Sequence, residues 1–342
     1  MIIYSKGNLL EAEAEALVNT VNCVGVMGKG IALQFKQAYP ENYKEYEKAC
    51  KDEKIKPGTM FIYSTGELFS SKYIINFPTK RHWKGKSKIE DIKIGLIDFV
   101  KQIKDLNIKS VAVPPLGCGN GGLDWQVVKS LIEKAVTNLD DVTFYIYPPN
   151  GSPDVDAMPV NTSRPNLTKA RSLLICLMQE YGIPGYRLSK LEIQKLAYFL
   201  QEVGEPLKLR YVKGLCGPYA DNLNHVLQRL EGHFIRGYGD RAEESNIYLL
   251  PNAVAEATNM IRDEVESQDR LNKVKSIIMG FESPYGLELL STVHWVIKER
   301  PEIIEDIEKI TELVRNWNNR KCKLFQPTHI KKAWVHLKEV ML

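Results

Sequence analysis

The chain has 342 residues, 44% of them hydrophobic and 26% charged, with a formal net charge of +4. That length suits two domains with a core each. The charge divides almost evenly, with 20 basic and 17 acidic residues up to position 150 and 26 and 25 beyond it. Neither part is a polyanion-binding domain by charge alone, so any nucleic-acid contact has to be local. Six scattered cysteines form no CxxC pair and no His/Cys ligand spacing, which argues against a disulfide framework or a zinc site. The opening MIIYSKGN is not a signal peptide and no apolar run approaches ~20 residues. A soluble, cytoplasmic protein with no membrane contact is expected.

The first expected strands are Met1–Tyr4 and Ala16–Val21. The second feeds NTVNCVGVMGKGIA, residues 19–32, where glycines stand at 25, 28 and 30 and a helix pattern opens at Ile31-Ala32. Glycines let backbone N–H groups approach a ligand, and a helix N-terminus adds unpaired donors suited to phosphate. A tight strand-to-helix turn uses the same residues without any ligand. Strands Thr59–Tyr63 and Tyr73–Phe77 come next. The latter runs into NFPTKRHWKGKSK, residues 76–88, a basic loop around Trp83. Such a run is commonly just solvated, but basic residues interleaved with an aromatic also grip a nucleic-acid backbone and stack a base. Lys80 lies just past the strand end. With a depressed pKa it is a nucleophile toward a sugar carbon; charged, it stabilises developing negative charge.

A helix over Ile89–Leu106 leads to strand Ser110–Val113 and then to PPLGCGNGGLDW, residues 114–125. Four glycines within six residues exceed the needs of one turn, and Asp124 is placed to cap the following helix, Trp125–Val136. Strand Val142–Tyr147 closes the series. This alternation predicts an α/β sandwich, the sheet mixed and largely parallel. Two glycine-rich loops at the carboxyl ends of two such strands fit a diphosphate held between them.

Residues 148–166 are rich in Pro, Asn, Ser and Asp and break both periodicities. The domains expected are therefore 1–150, a linker at 151–166, and a mainly α-helical domain at 167–342. In the last, Ser189-Lys190-Leu191-Glu192 has capping-box spacing. Leu207–Leu215 suits a strand or hairpin arm. Helix patterns follow over Pro218–Leu230, Ala253–Ile278, Leu287–Arg300, Glu302–Asn318 and Thr328–Val340.

Lys6-Gly7-Asn8-Leu9-Leu10, Val18–Asn22, Gly28-Lys29-Gly30-Ile31-Ala32 and Pro115–Gly119 together resemble the macrodomain family, which binds ADP-ribose. The likeness covers about residues 1–150. Gly-Lys-Gly-Ile-Ala, Asn-Phe-Pro-Thr-Lys and Gly-Cys-Gly are similar to the branch of terminal ADP-ribose glycohydrolases, which uses a lysine after the middle strand, here Lys80. More closely, the chain resembles the DarG-type antitoxin family, in which a macrodomain precedes a helical domain. Leu196–Leu200 and Cys216-Gly217-Pro218-Tyr219 are similar to toxin-binding antitoxin modules.

The resemblance implies a DNA ADP-ribosyl glycohydrolase that removes ADP-ribose from thymine in single-stranded DNA, needs no cofactor or metal, and binds a DarT-like ADP-ribosyltransferase toxin. By position, Asn8 and Leu9 would hold the adenine end, and Thr20, Asn22 and Thr79 the distal ribose. Gly28, Lys29, Gly30 and Ile31 would grip the diphosphate together with Gly117, Cys118, Gly119, Asn120 and Gly121. Lys80 would be catalytic, with Asn22 orienting the sugar through its amide. Many macrodomains have Asp where Asn8 stands, and the vertebrate-type glycohydrolase has an acid just after Gly-Cys-Gly, where this chain has Asn120-Gly121-Gly122 and its nearest acid is Asp124. Two other readings are a non-catalytic ADP-ribose reader that neutralises a toxin by binding alone, and a hydrolase of protein-linked ADP-ribosyl esters.

Overall fold

In the first half of the chain strands and helices alternate in the order β1 (Ile2–Tyr4), β2 (Ala16–Asn22), α1 (Ile31–Ala38), α2 (Pro40–Lys51), β3 (Phe61–Ser64), β4 (Tyr73–Lys80), α3 (Ile89–Asp105), β5 (Ser110–Val113), α4 (Trp125–Val136) and β6 (Thr143–Ile146). The computed structural model describes residues 1–66, 71–183, 185–241 and 244–342. They fall into two units, Met1–Ser163 with Gly239–Glu243, and Arg164–Tyr238 with Glu244–Leu342.

The sheet order is β1-β6-β5-β2-β4-β3, parallel throughout except for the antiparallel edge pair β3–β4. The fold is a mixed, mostly parallel α/β sandwich. Successive side chains of a strand point to opposite faces, and β2 shows the result. Ala16 and Val18 pack with Ile75, Phe77, Val111 and Val113 under α3 and α4, whereas Leu17 packs with Ile74, Ala112 and Phe35 of α1. A central strand covered on both faces reads as a continuous apolar run, which is why Ala16-Leu17-Val18 does not alternate. Asn19 breaks the run but is fully buried. Its amide donates to Asn76 of β4 at 3.0 Å, and Asn76 in turn donates to Asn42 of α2 at 2.7 Å.

Because β1, β2, β4 and β5 are parallel, the segments that follow them all leave from one edge of the sheet. That edge carries residues 5–12, 23–30, 81–88 and 114–123.

The second unit is mainly helical. Its elements are α5 (Lys169–Tyr181), α6 (Lys190–Glu202), β7 (Tyr211–Gly214), β8 (Gly217–Ala220), α7 (Leu223–Leu230), β9 (Ile235–Arg236), β10 (Tyr248–Leu249), α8 (Ala253–Ile261), α9 (Val265–Ile278), α10 (Pro284–Glu299), α11 (Ile307–Arg315), α12 (Asn319–Leu324) and α13 (Pro327–Val340). One apolar core joins Leu173–Met178 of α5, Ile193–Leu200 of α6 and Leu287–Ile297 of α10. The capping box at Ser189 forms as its spacing predicts, the Glu192 carboxylate accepting from the Ser189 N–H at 2.6 Å. The same buried carboxylate accepts from the hydroxyls of Tyr181 (2.6 Å) and Tyr186 (2.7 Å).

Three expected helices differ. Pro218 lies in β8, paired with β7, and the helix begins only at Leu223. The Ala253–Ile278 pattern is two helices, separated at Arg262–Glu264. The Glu302–Asn318 pattern is a short 3-10 turn, Pro301–Ile303, followed by α11. In each case an apolar stripe continues across a turn, so periodicity alone does not show the break.

Candidate active site

The site is organised by an irregularity in the sheet. Strands β2 and β4 pair residue for residue from Ala16↔Tyr73 to Val21↔Pro78, and then the register slips, so that Asn22 lies opposite Lys80. Thr79 is the extra residue, buried, its hydroxyl 3.4 Å from the Val21 carbonyl oxygen. A bulge of this kind re-aims the side chains at a strand end. Here it sets Asn22 and Lys80 side by side where the two strands meet the loop edge.

The Lys80 ammonium donates to the Asn120 carbonyl at 2.6 Å, reaching from β4 to the second glycine loop. Its pKa lies below the usual lysine value, first because burial disfavours the charged form and then because Lys86 adds a like charge. Asn22 is the hub of the first loop. Its side-chain oxygen accepts from the N–H groups of Val24 (3.0 Å) and Val26 (3.3 Å), and its NH2 donates to the Val26 carbonyl. The buried Tyr46 hydroxyl donates to the Asn22 carbonyl. The amide therefore holds the turn Asn22–Val26, and one NH2 proton remains beyond the bond to Val26.

The two glycine loops face each other. Gly30 has φ 61° and caps α1 with its backbone only; a Cβ there would come within 3.1 Å of the Asn120 amide nitrogen. Gly28 is partly exposed and Lys29 exposed, and Ile31 and Ala32 follow at the start of α1. In the second loop a Cβ on Gly121 would lie 2.1 Å from the Gly117 carbonyl oxygen and 2.2 Å from the Ser87 Oγ, so the position admits glycine alone. Gly117 has φ 71°. Gly119 and Asn120 are exposed. The Cys118 thiol donates to the Leu116 carbonyl at 3.5 Å, and burial pushes its pKa up to about 11, which keeps it protonated and unreactive. Asp124 caps α4, accepting from the Val127 N–H at 3.1 Å.

The remaining expected residues occupy the same edge or the strands that feed it. Asn8 caps the 3-10 turn Leu9–Glu11, its oxygen accepting from the Leu10 N–H at 3.0 Å and its NH2 facing Glu11 (3.3 Å) and the Ala157 carbonyl (3.4 Å). Leu9 is buried, and Thr20 is partly exposed on β2.

Several contributors escape a reading by motif. Ser87 ties the loop after β4 to the second glycine loop, its N–H donating to the Gly121 carbonyl at 3.1 Å. Asp240 belongs to the first unit although it stands far along the chain. Its carbonyl accepts from the Gly30 N–H at 2.8 Å, and its carboxylate accepts from Gln34 (2.7 Å) and Ser152 (2.9 Å). No local pattern around Asp240 signals this. Among the described residues no cluster of His, Cys, Asp and Glu has the makings of a metal site, and no helix is long and apolar enough to cross a membrane.

The mixed, mostly parallel sheet with paired glycine loops at its carboxyl edge is that of a macro domain, and the macro domain family matches residues 18–132. The likeness to known proteins extends through the second unit as well. The DNA ADP-ribosyl glycohydrolase of Thermus aquaticus is 47% identical over 333 residues, 97% of this chain and 92% of that protein. The protein of the same name from Mycobacterium tuberculosis is 42% identical over 344 residues, 96% of this chain and 97% of its own length. The chain belongs to the DNA ADP-ribosyl glycohydrolase family. The solved macrodomain of M. tuberculosis DarG is 59% identical and is covered over 99% of its length, corresponding to 44% of this chain, with a TM-score of 0.44. A DNA ADP-ribosyl transferase–DNA ADP-ribosyl glycohydrolase fusion protein from Thermosipho africanus is 36% identical over 170 residues, 45% of this chain and 44% of that protein.

Proposed function

We propose that this protein cleaves the N-glycosidic bond between ADP-ribose and a thymine base in single-stranded DNA, and that residues 167–342 bind and neutralise a DarT-type ADP-ribosyltransferase toxin. The observation that carries the first part is the bulge at Thr79, which puts a lysine of lowered pKa beside Asn22 and against the loop of Gly117–Gly121. Relatives alike over nearly the whole chain bear the name of that activity. The fusion of transferase and glycohydrolase in one relative supports pairing with a toxin.

In the reaction, the backbone N–H groups of the two glycine loops and of the start of α1 hold the diphosphate. Asn8 and Leu9 border the adenine, and Thr20 and Thr79 the distal ribose. Asn22 keeps the first loop in shape and turns its second NH2 proton toward a ribose hydroxyl. The lone pair of neutral Lys80 forms a bond to the anomeric carbon as the bond from that carbon to the thymine nitrogen breaks. The nitrogen leaves with the electron pair and takes up a proton. Water then hydrolyses the amine adduct, releasing ADP-ribose and restoring Lys80. Burial and the like charge of Lys86 lower the Lys80 pKa, which is the direction this route needs.

The test is a single-stranded oligonucleotide bearing ADP-ribosyl-thymine, incubated with the full chain as wild type and as Lys80→Ala. Release of ADP-ribose by wild type alone is expected. Binding of ADP-ribose without release would make the protein a reader, and release from a protein glutamate ester but not from DNA would make it an ester hydrolase.

A further inference from the structure

The loop joining β4 to α3 presents a feature that cleavage of the bond does not itself require. Trp83 in this loop is 48% exposed, a large ring left about half open to solvent. The loop is held firmly beneath it. Arg81 makes a two-pronged pair with Asp91 of α3, at 3.0 and 3.1 Å. The Gly85 N–H closes a turn on the His82 carbonyl at 3.0 Å, and Ser87 is tied to Gly121. The ring is bordered by one ammonium group and a second ring. The Lys84 ammonium lies 5.0 Å from its centroid and the His82 ring 5.6 Å away. Lys84, Lys86 and Lys88 are all exposed, and no acidic residue occurs between Lys80 and Ile89. The loop also abuts the reacting end of the site. Lys80 immediately precedes it, and the Lys86 ammonium lies 3.2 Å from where a Cβ on Gly122 would stand.

We infer that Trp83 and the lysines around it form a docking surface for the single-stranded DNA that flanks the modified base, with Trp83 stacking on a neighbouring nucleobase and Lys84, Lys86 and Lys88 meeting the phosphates. The inference rests on the reading of the substrate given above. Charge complementarity selects this occupant: an aromatic face in a loop that carries three exposed ammonium groups, with no carboxylate among them, matches a polyanion with stacking rings. A protein-linked ADP-ribose offers neither feature in a fixed place. The near-neutral balance of the whole chain is then no obstacle, because the contact is confined to one loop.

Two substrates and one ligand test it on the full chain: an ADP-ribosyl-thymine oligonucleotide, ADP-ribosyl-thymidine as a free nucleoside, and an unmodified single-stranded oligonucleotide. Trp83→Ala is expected to raise KM for the modified oligonucleotide by about 5- to 150-fold with kcat unchanged, the effect of losing one base–aromatic stack. Turnover of the free nucleoside stays at the wild-type level, and Trp83→Phe restores most of the lost affinity. Replacing Lys84, Lys86 and Lys88 by serine lowers the slope of log affinity against log salt by about 0.7 for each phosphate contact removed. Equal losses on oligonucleotide and nucleoside would overturn the inference, since Trp83 would then act on the site itself. The unmodified oligonucleotide separates the two claims. If it binds wild type more tightly than Trp83→Ala while no adduct is cleaved, the docking surface stands and the glycohydrolase reading falls. If it binds both alike, the docking surface falls whatever the turnover.

Discussion

Asn22 and Lys80 face each other across β2 and β4 only because the pairing slips by one residue at Thr79. Without the slip Asn22 would meet Thr79, and the lysine would stand one position beyond the pair. Lys80→Ala is therefore expected to lower kcat by at least about 10³-fold while ADP-ribose affinity changes by less than about 3-fold, the pattern of a group that acts on the transition state alone. Calorimetric titration with ADP-ribose and a single-turnover assay check the two halves.

The pH dependence follows from the same amine. A nucleophilic lysine works in its neutral form, so kcat/KM rises with pH and levels off below the ordinary lysine value of about 10.4, because burial and Lys86 lower the folded-state pKa. Lys86→Gln removes the like charge, raises that pKa, and moves the rising limb to higher pH. A profile that instead falls through this range would assign Lys80 a purely electrostatic role.

Gly121→Ala places a methyl group about where the Gly117 carbonyl and the Ser87 hydroxyl already are, at 2.1 and 2.2 Å. The loop has to open, and its N–H groups then point away from the diphosphate. A loss of ADP-ribose affinity of about 10-fold or more is expected. Gly119→Ala, with no protein atom within 4 Å of its Cβ, leaves the loop closed and so serves as the control for loop opening, keeping more affinity than Gly121→Ala. Isothermal titration of both variants decides this.

The parallel sheet, the two glycine loops and Lys80 were legible because each has a local signature: a buried apolar strand, a glycine cluster at its end, a helix pattern after it. What is not legible depends on distant partners. The bulge has one local mark, Pro78, which has no N–H to donate and stands beside the slip in a non-edge strand, whereas Thr79 itself is as acceptable in a regular strand as in an irregular one. Asn22 is easily seen, but only the fold shows its amide bonded to Val24 and Val26. Asp240 reaches the Gly30 N–H from a position more than two hundred residues away, with no local motif around it. In the second unit, the Ser189 capping box is local and readable, and so is Asp306, which caps α11 and accepts from the Lys309 N–H at 2.9 Å, whereas the break at Arg262–Glu264 carries no side-chain cap to announce it.

Lys195 gives the second unit a distinct pH response. Its ammonium is buried and donates to the Pro218 carbonyl at 2.7 Å, and its pKa is pushed down to about 7 by burial and by Lys321, against the opposing pull of Glu288 and Cys216. Lys321 is buried on the Glu288 carboxylate at 2.7 Å, and Arg320 pairs with the same carboxylate. Between pH 7 and about 10.4 the unfolded chain binds a proton that the folded unit has released, so stability rises with pH across this window, by up to about 1.4 kcal/mol per unit. As pH falls to about 7 that contribution is lost. Urea unfolding at pH 7 and pH 9 should show the rise in wild type and a smaller one in Lys195→Met. An equal rise in both would assign the dependence to other groups.

If residues 167–342 neutralise the toxin by binding, the two activities of the chain are separable by substitution. Lys80→Ala stops cleavage but leaves the second unit, with its core of α5, α6 and α10, untouched. The readout has to be one that cleavage cannot reverse. Nicotinamide released as the toxin transfers ADP-ribose to DNA meets this, because removal of the adduct does not restore NAD. With an equimolar amount of Lys80→Ala, nicotinamide release should fall by about as much as with wild type, on the order of 10-fold, which requires a Kd of roughly a hundredth of the working concentration by mass action. Full-rate release in the presence of Lys80→Ala would mean that the protein protects DNA by erasing adducts and not by holding the enzyme that makes them.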